Sequence, residues 1–252
     1  MSYSYLLFEK HSGIGKITLN RPQFLNALSP ALLLELKEAV DEAGQDKDVA
    51  VVVLTGTGRA FSAGADLLFL SGRKLTNGRV GPALDEPANR LIEAVQTIPK
   101  VVIAAVNGHC YGGALEIVLA CDLILASENA QFGDTHVRWG IRPSWGMSQR
   151  LPWAAGYAKA KELSFTADII TARQAERIGL INLAVPADKL DETVRGFAKK
   201  IMSNSLEAVA ACKHLYNRTL RDTIKRGLEI EADSEFTIRD TESRISGFRN
   251  GK

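Results

Sequence analysis

Three observations in the sequence predict an α/β fold. Continuous apolar runs of strand length, "VAVVVLTG", "KVVIAAVNG" and "CDLILAS", have the composition of strands buried on both faces. Segments with helical apolar spacing lie between and after them, so strands and helices alternate. Of the 252 residues, 46% are hydrophobic, enough for one large domain with a sizeable core.

At the start, "YLLFEKHSGIGKITLN" reads as a hairpin around His11-Ser12-Gly13 that stops at Asn20-Arg21-Pro22, where proline discourages a further strand residue. Ser29-Pro30 matches an N-cap followed by proline at the first helical position, and "ALLLELKEAVDEAG" carries a helix expected to end at Gly44. The stretch Ser71 to Pro87, "SGRKLTNGRVGPALDEP", has glycines, prolines and charges without a period; it reads as a mobile loop or short irregular helix beside a site. After Pro152 the texture turns helical. From Ala187 onward come three amphipathic segments, "ADKLDETVRGFAKKIMS", "SLEAVAACKHLYNRT" and "IKRGLEIEADSEFTIRDTES", which suit a helical lid or an assembly element.

Composition narrows the function. The 31 Lys and Arg nearly balance 29 Asp and Glu, leaving a formal charge of +2, and no dense basic run marks a nucleic-acid stripe or an anionic membrane surface. Expected partners are therefore small molecules or further copies of the chain, with no nucleic acid and no membrane. Cys110, Cys121 and Cys212 are odd in number and form no CxxC, which argues against a disulfide framework or a structural zinc site. Together with the lack of a basic-then-apolar leader and of any apolar run of about 18 residues, this leads to the expectation of a soluble, cytoplasmic protein.

Two segments share one grammar: a buried strand, a glycine-containing loop, then small residues where a helix begins. They are "VAVVVLTGTGRAFSAGADLLFL" and "KVVIAAVNGHCYGGALEIVLACD". Each leaves unpaired backbone N–H groups at a helix start, on residues small enough for a ligand to approach. Should Ala65 and Gly113 face one cleft, their amides can hold a carbonyl oxygen as an oxyanion; taken singly, either segment is better explained by close helix–strand packing. Phosphate-binding readings fail on spacing. "TGTGRAF" has Phe61 where a third glycine belongs, and "GIGK" is followed by Ile17 instead of Ser or Thr. An ordinary serine hydrolase is not supported either, because Ala60 takes the first glycine's place in a GxSxG around Ser62.

"NRPQFLNALS", "VVVLTGTGRAFSAGADL", "PKVVIAAVNGHCYGGALEIVLACDLILASENAQFG" and "TARQAERIGLINLAVP" together resemble the crotonase family, also called the enoyl-CoA hydratase/isomerase family. The resemblance covers nearly the whole chain. It implies a spiral of ββα units over residues 1–186 holding an acyl-CoA site, a C-terminal helical lid or oligomerisation region over 187–252, and a homotrimer or homohexamer. It implies an acyl-CoA thioester whose carbonyl lies between the amides of Ala65 and Gly113. Ala63, Gly64, Asp66, Leu67 and Gly112 would line the substrate and CoA pocket, although Asp66 also suits a helix cap. No metal and no cofactor is expected beyond the coenzyme A of the substrate.

The family's hydratases place one glutamate after the glycine pair and a second after "AQFG". Glu116 matches the first; His136 stands at the second. Hydration of a 2-enoyl thioester needs water activated at Cβ and a proton delivered at Cα, so Glu116 is expected to activate water and His136 to share the proton work or only line the pocket. Asp134, two residues earlier, can fix the His136 tautomer or be ordinary loop polarity. Trp139, Trp145 and Met147 fall at the expected acyl end, as shaping residues or as helix–loop packing. Gln23 replaces a lysine that in many relatives meets CoA phosphates. The expected reaction is hydration of 2-trans-enoyl-CoA to 3-hydroxyacyl-CoA; the rivals are enoyl-CoA isomerase, thioester hydrolase, decarboxylase and a non-catalytic acyl-CoA-binding protein.

Overall fold

The fold was obtained as a computed structural model, in which residues 3–233 and 241–249 are described. Strands β1 (Leu6–His11) and β2 (Ile14–Leu19) form the expected hairpin, with Leu6 opposite Leu19 and His11 opposite Ile14. Its two-residue turn needs positive φ at both positions, and Ser12 and Gly13 supply 50° and 78°. Helix α1 (Pro30–Gln45) starts where expected, with the Ser29 side chain accepting from the Leu32 N–H and Pro30 opening the first turn.

Gly44 does not end α1; the helix runs through it to Gln45. A Cβ at Gly44 would come within 2.8 Å of Ile98, so this glycine permits close approach to the chain following the next long helix. Strand β3 (Val51–Gly56) turns into the short β4 (Ala60–Ser62) and the one-turn helix α2 (Leu67–Leu70).

The period-free stretch is partly ordered, because α3 (Pro82–Thr97) takes over its last six residues and includes Pro87. Two prolines obscure the pattern in the sequence. Burial of Leu84, Ala88, Leu91, Ile92 and Val95 on one face outweighs the backbone hydrogen bond that Pro87 removes.

The strand–strand–helix phrase then repeats. Strand β5 (Val101–Val106) leads into β6 (His109–Tyr111) and α4 (Gly113–Val118); β7 (Leu123–Ser127) leads into β8 (Gln131–Gly133) and a 3-10 turn over His136–Trp139. Helices α5 (Met147–Ala155) and α6 (Tyr157–Thr166), strand β9 (Ile170–Thr171), helix α7 (Ala172–Arg177) and strand β10 (Leu183–Val185) complete the core. Long strands make one sheet in the order β1-β2-β3-β5-β7-β10, and short strands make a second in the order β4-β6-β8-β9. Each repeat thus contributes one strand to each sheet before its helix, the spiral expected from the family resemblance.

The central strands β3, β5 and β7 are buried on both faces, which explains their continuous apolar runs. Val52, Leu54, Val102 and Ala104 face the cluster formed with α1 and α3, while Val51, Val53, Val101 and Ile103 face Leu190, Val194 and Ala198 of α8 (Leu190–Met202). The three α8 residues recur at four-residue spacing, as an amphipathic helix requires. Helices α9 (Leu206–Asp233) and α10 (Thr241–Arg249) follow. The third amphipathic segment of the sequence spans the end of α9 and the start of α10, and its residues 234–240 lie outside the described residues.

Candidate active site

The two repeats bring their small residues to one place. Gly64 has φ 91°, and a Cβ there would stand 2.5 Å from the Tyr111 carbonyl oxygen and 3.3 Å from the Gly113 nitrogen. Only glycine allows that contact. Ala63, Gly64, Ala65, Leu67, Gly112, Gly113, Glu116 and His136 all line one small cavity of about 40 Å³. The N–H of Gly113 is the first of α4 and has no intrahelical acceptor; neither it nor the Ala65 N–H finds a partner among the described residues. Asp66 has a different place. Its Oδ1 accepts from the Leu68 and Phe69 N–H groups, capping α2, and its Oδ2 lies 3.1 Å from Arg21.

Glu116 is 1% exposed and held on two sides. Its Oε1 accepts from the backbone N–H of Trp145 (3.0 Å) and of Met147 (2.8 Å), while Oε2 lies 3.3 Å from His136 Nε2. On the other side of the imidazole, Nδ1 is 2.6 Å from Asp134 Oδ1, and the hydroxyl of Ser164 donates to Asp134 Oδ2 at 2.6 Å. Burial disfavours the imidazolium, but hydrogen bonds and charge from Asp134 and Glu116 outweigh it and carry His136 up to about 10. Burial likewise opposes ionisation of Asp134, yet its bonds to His136 and Ser164 hold its carboxyl below the usual range. The charged forms of Asp134 and His136 thus favour each other across their 2.6 Å contact.

The tryptophan does more than pack. A Cβ on Gly113 would lie 2.3 Å from the Trp145 ring, so glycine at 113 lets this fully buried ring cover the start of α4. Three contacts fix Trp145: its N–H to Glu116, its carbonyl accepting from Arg150 (2.8 Å), and its Nε1–H donating to Asp85 Oδ1 (2.8 Å). Asp85 also accepts from Ser144, and burial lifts its carboxyl above the ordinary value despite those two bonds. Trp139 lines the cavity, whereas Met147 contributes its backbone N–H. His109 sits apart, stacked on Tyr111 and bonded to its hydroxyl. A larger cleft of about 1220 Å³ between α3 and α9 shares Arg142 and Ser144 with the small cavity.

Sequence reasoning missed Asp85, Ser164 and the two amides that hold Glu116. Trp145 reaches Asp85 across 60 positions and Ser164 reaches Asp134 across 30, so no local spacing signals either pair. Asp85 further lay in the stretch without a period.

Two amides without a partner among the described residues lie beside a buried carboxyl–imidazole pair on a spiral of ββα repeats, which defines an α/β protein carrying the groups that acid–base chemistry uses. The chain belongs to the enoyl-CoA hydratase/isomerase family, whose model matches residues 9–250. Among its relatives is a crotonyl-CoA hydratase of Syntrophomonas wolfei, 40% identical over 93% of this chain and 89% of that protein. A short-chain-enoyl-CoA hydratase of Clostridium acetobutylicum is 36% identical over 98% and 95%. The crystal structure of an enoyl-CoA hydratase from Mycobacterium avium subsp. paratuberculosis superposes with a TM-score of 0.87 at 27% identity, covering 100% of this chain and 98% of that one.

Proposed function

We propose that the chain hydrates 2-trans-enoyl-CoA thioesters to 3-hydroxyacyl-CoA. The observation that carries this reading is Glu116, a buried carboxylate aimed by two backbone amides, in the same cavity as the free N–H groups of Ala65 and Gly113. The names of the hydratase relatives support it. Glu116 takes a proton from water as the oxygen adds to Cβ, and the electron pair moves through the conjugated system onto the thioester oxygen. The amides of Ala65 and Gly113 receive that oxyanion. His136, charged at rest, gives its Nε2 proton to Cα as the enolate collapses. Glu116 then returns the proton it took across the 3.3 Å contact, restoring both groups.

Every step is proton transfer or addition, so the reading requires neither redox chemistry nor a cofactor beyond the substrate's own coenzyme A. In this proposal Ala63, Gly64, Leu67 and Gly112 form the thioester and CoA walls. The helical region from residue 187 acts as lid and assembly element, supported by Thr241 of α10, whose hydroxyl donates to the Gly140 carbonyl just after the His136 turn. Exposed Trp153, Tyr157 and Phe165 on α5 and α6 support a homotrimer or homohexamer. Three free cysteines agree with a reducing, cytoplasmic setting.

The test follows the conjugated enoyl-thioester absorbance with crotonyl-CoA and a longer 2-enoyl-CoA, for wild type and Glu116→Gln. Loss of absorbance with a 3-hydroxyacyl product, absent in the variant, is expected. A product with a migrated double bond, free thiol or released carbon dioxide would replace hydration by isomerisation, hydrolysis or decarboxylation. Binding without turnover would leave only a CoA-ester-binding protein.

A further inference from the structure

The row of polar groups continues past His136 to two residues that do not line the cavity. Asp134 leaves β8 with a side chain 3% exposed, and both of its oxygens are engaged: Oδ1 with the His136 ring and, at 3.4 Å, with the His136 backbone N–H, and Oδ2 with Ser164 of α6. A carboxylate held at both oxygens cannot turn to follow the ring, so the ring must align with it. With Nδ1–H committed to Asp134, Nε2 is the nitrogen presented to Glu116. A buried carboxylate without a partner would be strongly disfavoured, which makes this pairing costly to break from either end.

We propose that Asp134, clamped by Ser164, is a positioning residue that fixes the ring of His136 with Nε2 toward Glu116 and favours its charged form through an adjacent carboxylate. This deepens the hydratase reading and, for its kinetic half, rests on it. Among the described residues, the acids that contact the ring are Asp134 from its own loop and Glu116 from α4, and the cation lining the same cavity is Arg142. From α6 comes Ser164, which does not titrate, and from α10 the Thr241 hydroxyl donates to the Gly140 carbonyl. Arg138 of the same turn donates to the Ala167 carbonyl. Removing the charge of Asp134 therefore takes away one of the two anions that favour the imidazolium. His136 would then lose its proton at a lower pH, and an activity requiring that proton would fall off at a lower pH.

The decisive experiment combines ring NMR of His136 in the full-length protein, titrated without substrate, with the pH profile of kcat/KM for crotonyl-CoA. Wild type, Asp134→Asn and Ser164→Ala are compared. In Asp134→Asn the His136 titration should move down by at least about one pH unit, since an adjacent opposite charge is worth about one to three units. The alkaline limb should move with it, and kcat should fall about tenfold or more while KM stays within about threefold. Ser164→Ala should shift both readouts the same way by less, and it carries the test if Asp134→Asn fails to fold. A merely structural Asp134 would leave the ring titration and alkaline limb of folded variants where they are in wild type, which would overturn the proposal. If wild type does not hydrate crotonyl-CoA, the hydratase reading fails, while the ring titration still decides whether Asp134 governs His136.

Discussion

The β3-β4-α2 and β5-β6-α4 repeats share a backbone plan and differ in what they do with their acid. In the first, Asp66 stands before α2 and turns back on its own helix, satisfying the Leu68 and Phe69 N–H groups and pairing with Arg21. In the second, Gly112 stands before α4 with no side chain to cap it, and the acid comes one turn later. Glu116 looks outward from its own repeat for partners, taking N–H donors from Trp145 and Met147 and meeting the ring of His136. Asp66 thus satisfies its own helix terminus, whereas Glu116 leaves its terminus open and takes its donors from elsewhere.

The largest effect that would sharpen this contrast is expected from Glu116→Gln. The amide oxygen can still accept from Trp145 and Met147, so the fold should survive while turnover drops by about 10²–10⁴-fold, with crotonyl-CoA binding little changed. Comparable loss of binding would show that Glu116 serves structure, as Asp66 does. Next comes Gly113→Ala, whose new Cβ meets a Trp145 ring with nowhere to go. Overpacking should cost about 1–3 kcal/mol in a denaturant titration, and displacement of Trp145 should lower kcat by about tenfold or more. An unchanged variant would mean that the ring does not depend on glycine at 113.

Asp66→Ala should show the opposite profile. Loss of a cap costs about 0.5–2 kcal/mol, and kcat should stay within about threefold of wild type. A selective loss of kcat with stability retained would make Asp66 a participant in the chemistry and erase the contrast between the repeats. The smallest effect is expected from L68E in the Glu116→Gln background. Residue 68 lies three positions after Ala65, as Glu116 lies three after Gly113, but it is 44% exposed, whereas Glu116 is buried on the Trp145 and Met147 amides. No turnover should return. Recovery would show that position in the repeat is enough by itself.

Much of this architecture was legible in the chain. The three apolar runs became β3, β5 and β7, Ser29-Pro30 opened α1, and the small residues around Gly64 and Gly113 converged as their shared grammar suggested. Reading failed where a residue signals one thing locally and serves another across space. Gly44 looked like a helix end and is a packing position; Pro82 and Pro87 looked like breakers and belong to a helix whose buried face prevails.

The sequence by itself determined the local elements, the repeat grammar and the residue types, Glu116 and His136, that follow the two glycine-bearing loops. Each follows from sterics, capping and hydrogen-bonding capacity within a few residues of chain. Only the tertiary structure decided that His136 stands between two carboxylates, that Trp145 and Met147 aim Glu116, and that Asp85 and Ser164 brace the arrangement. Those contacts join residues as many as 60 positions apart, and their distances are set by sheet register and helix packing, for which no single segment carries the information.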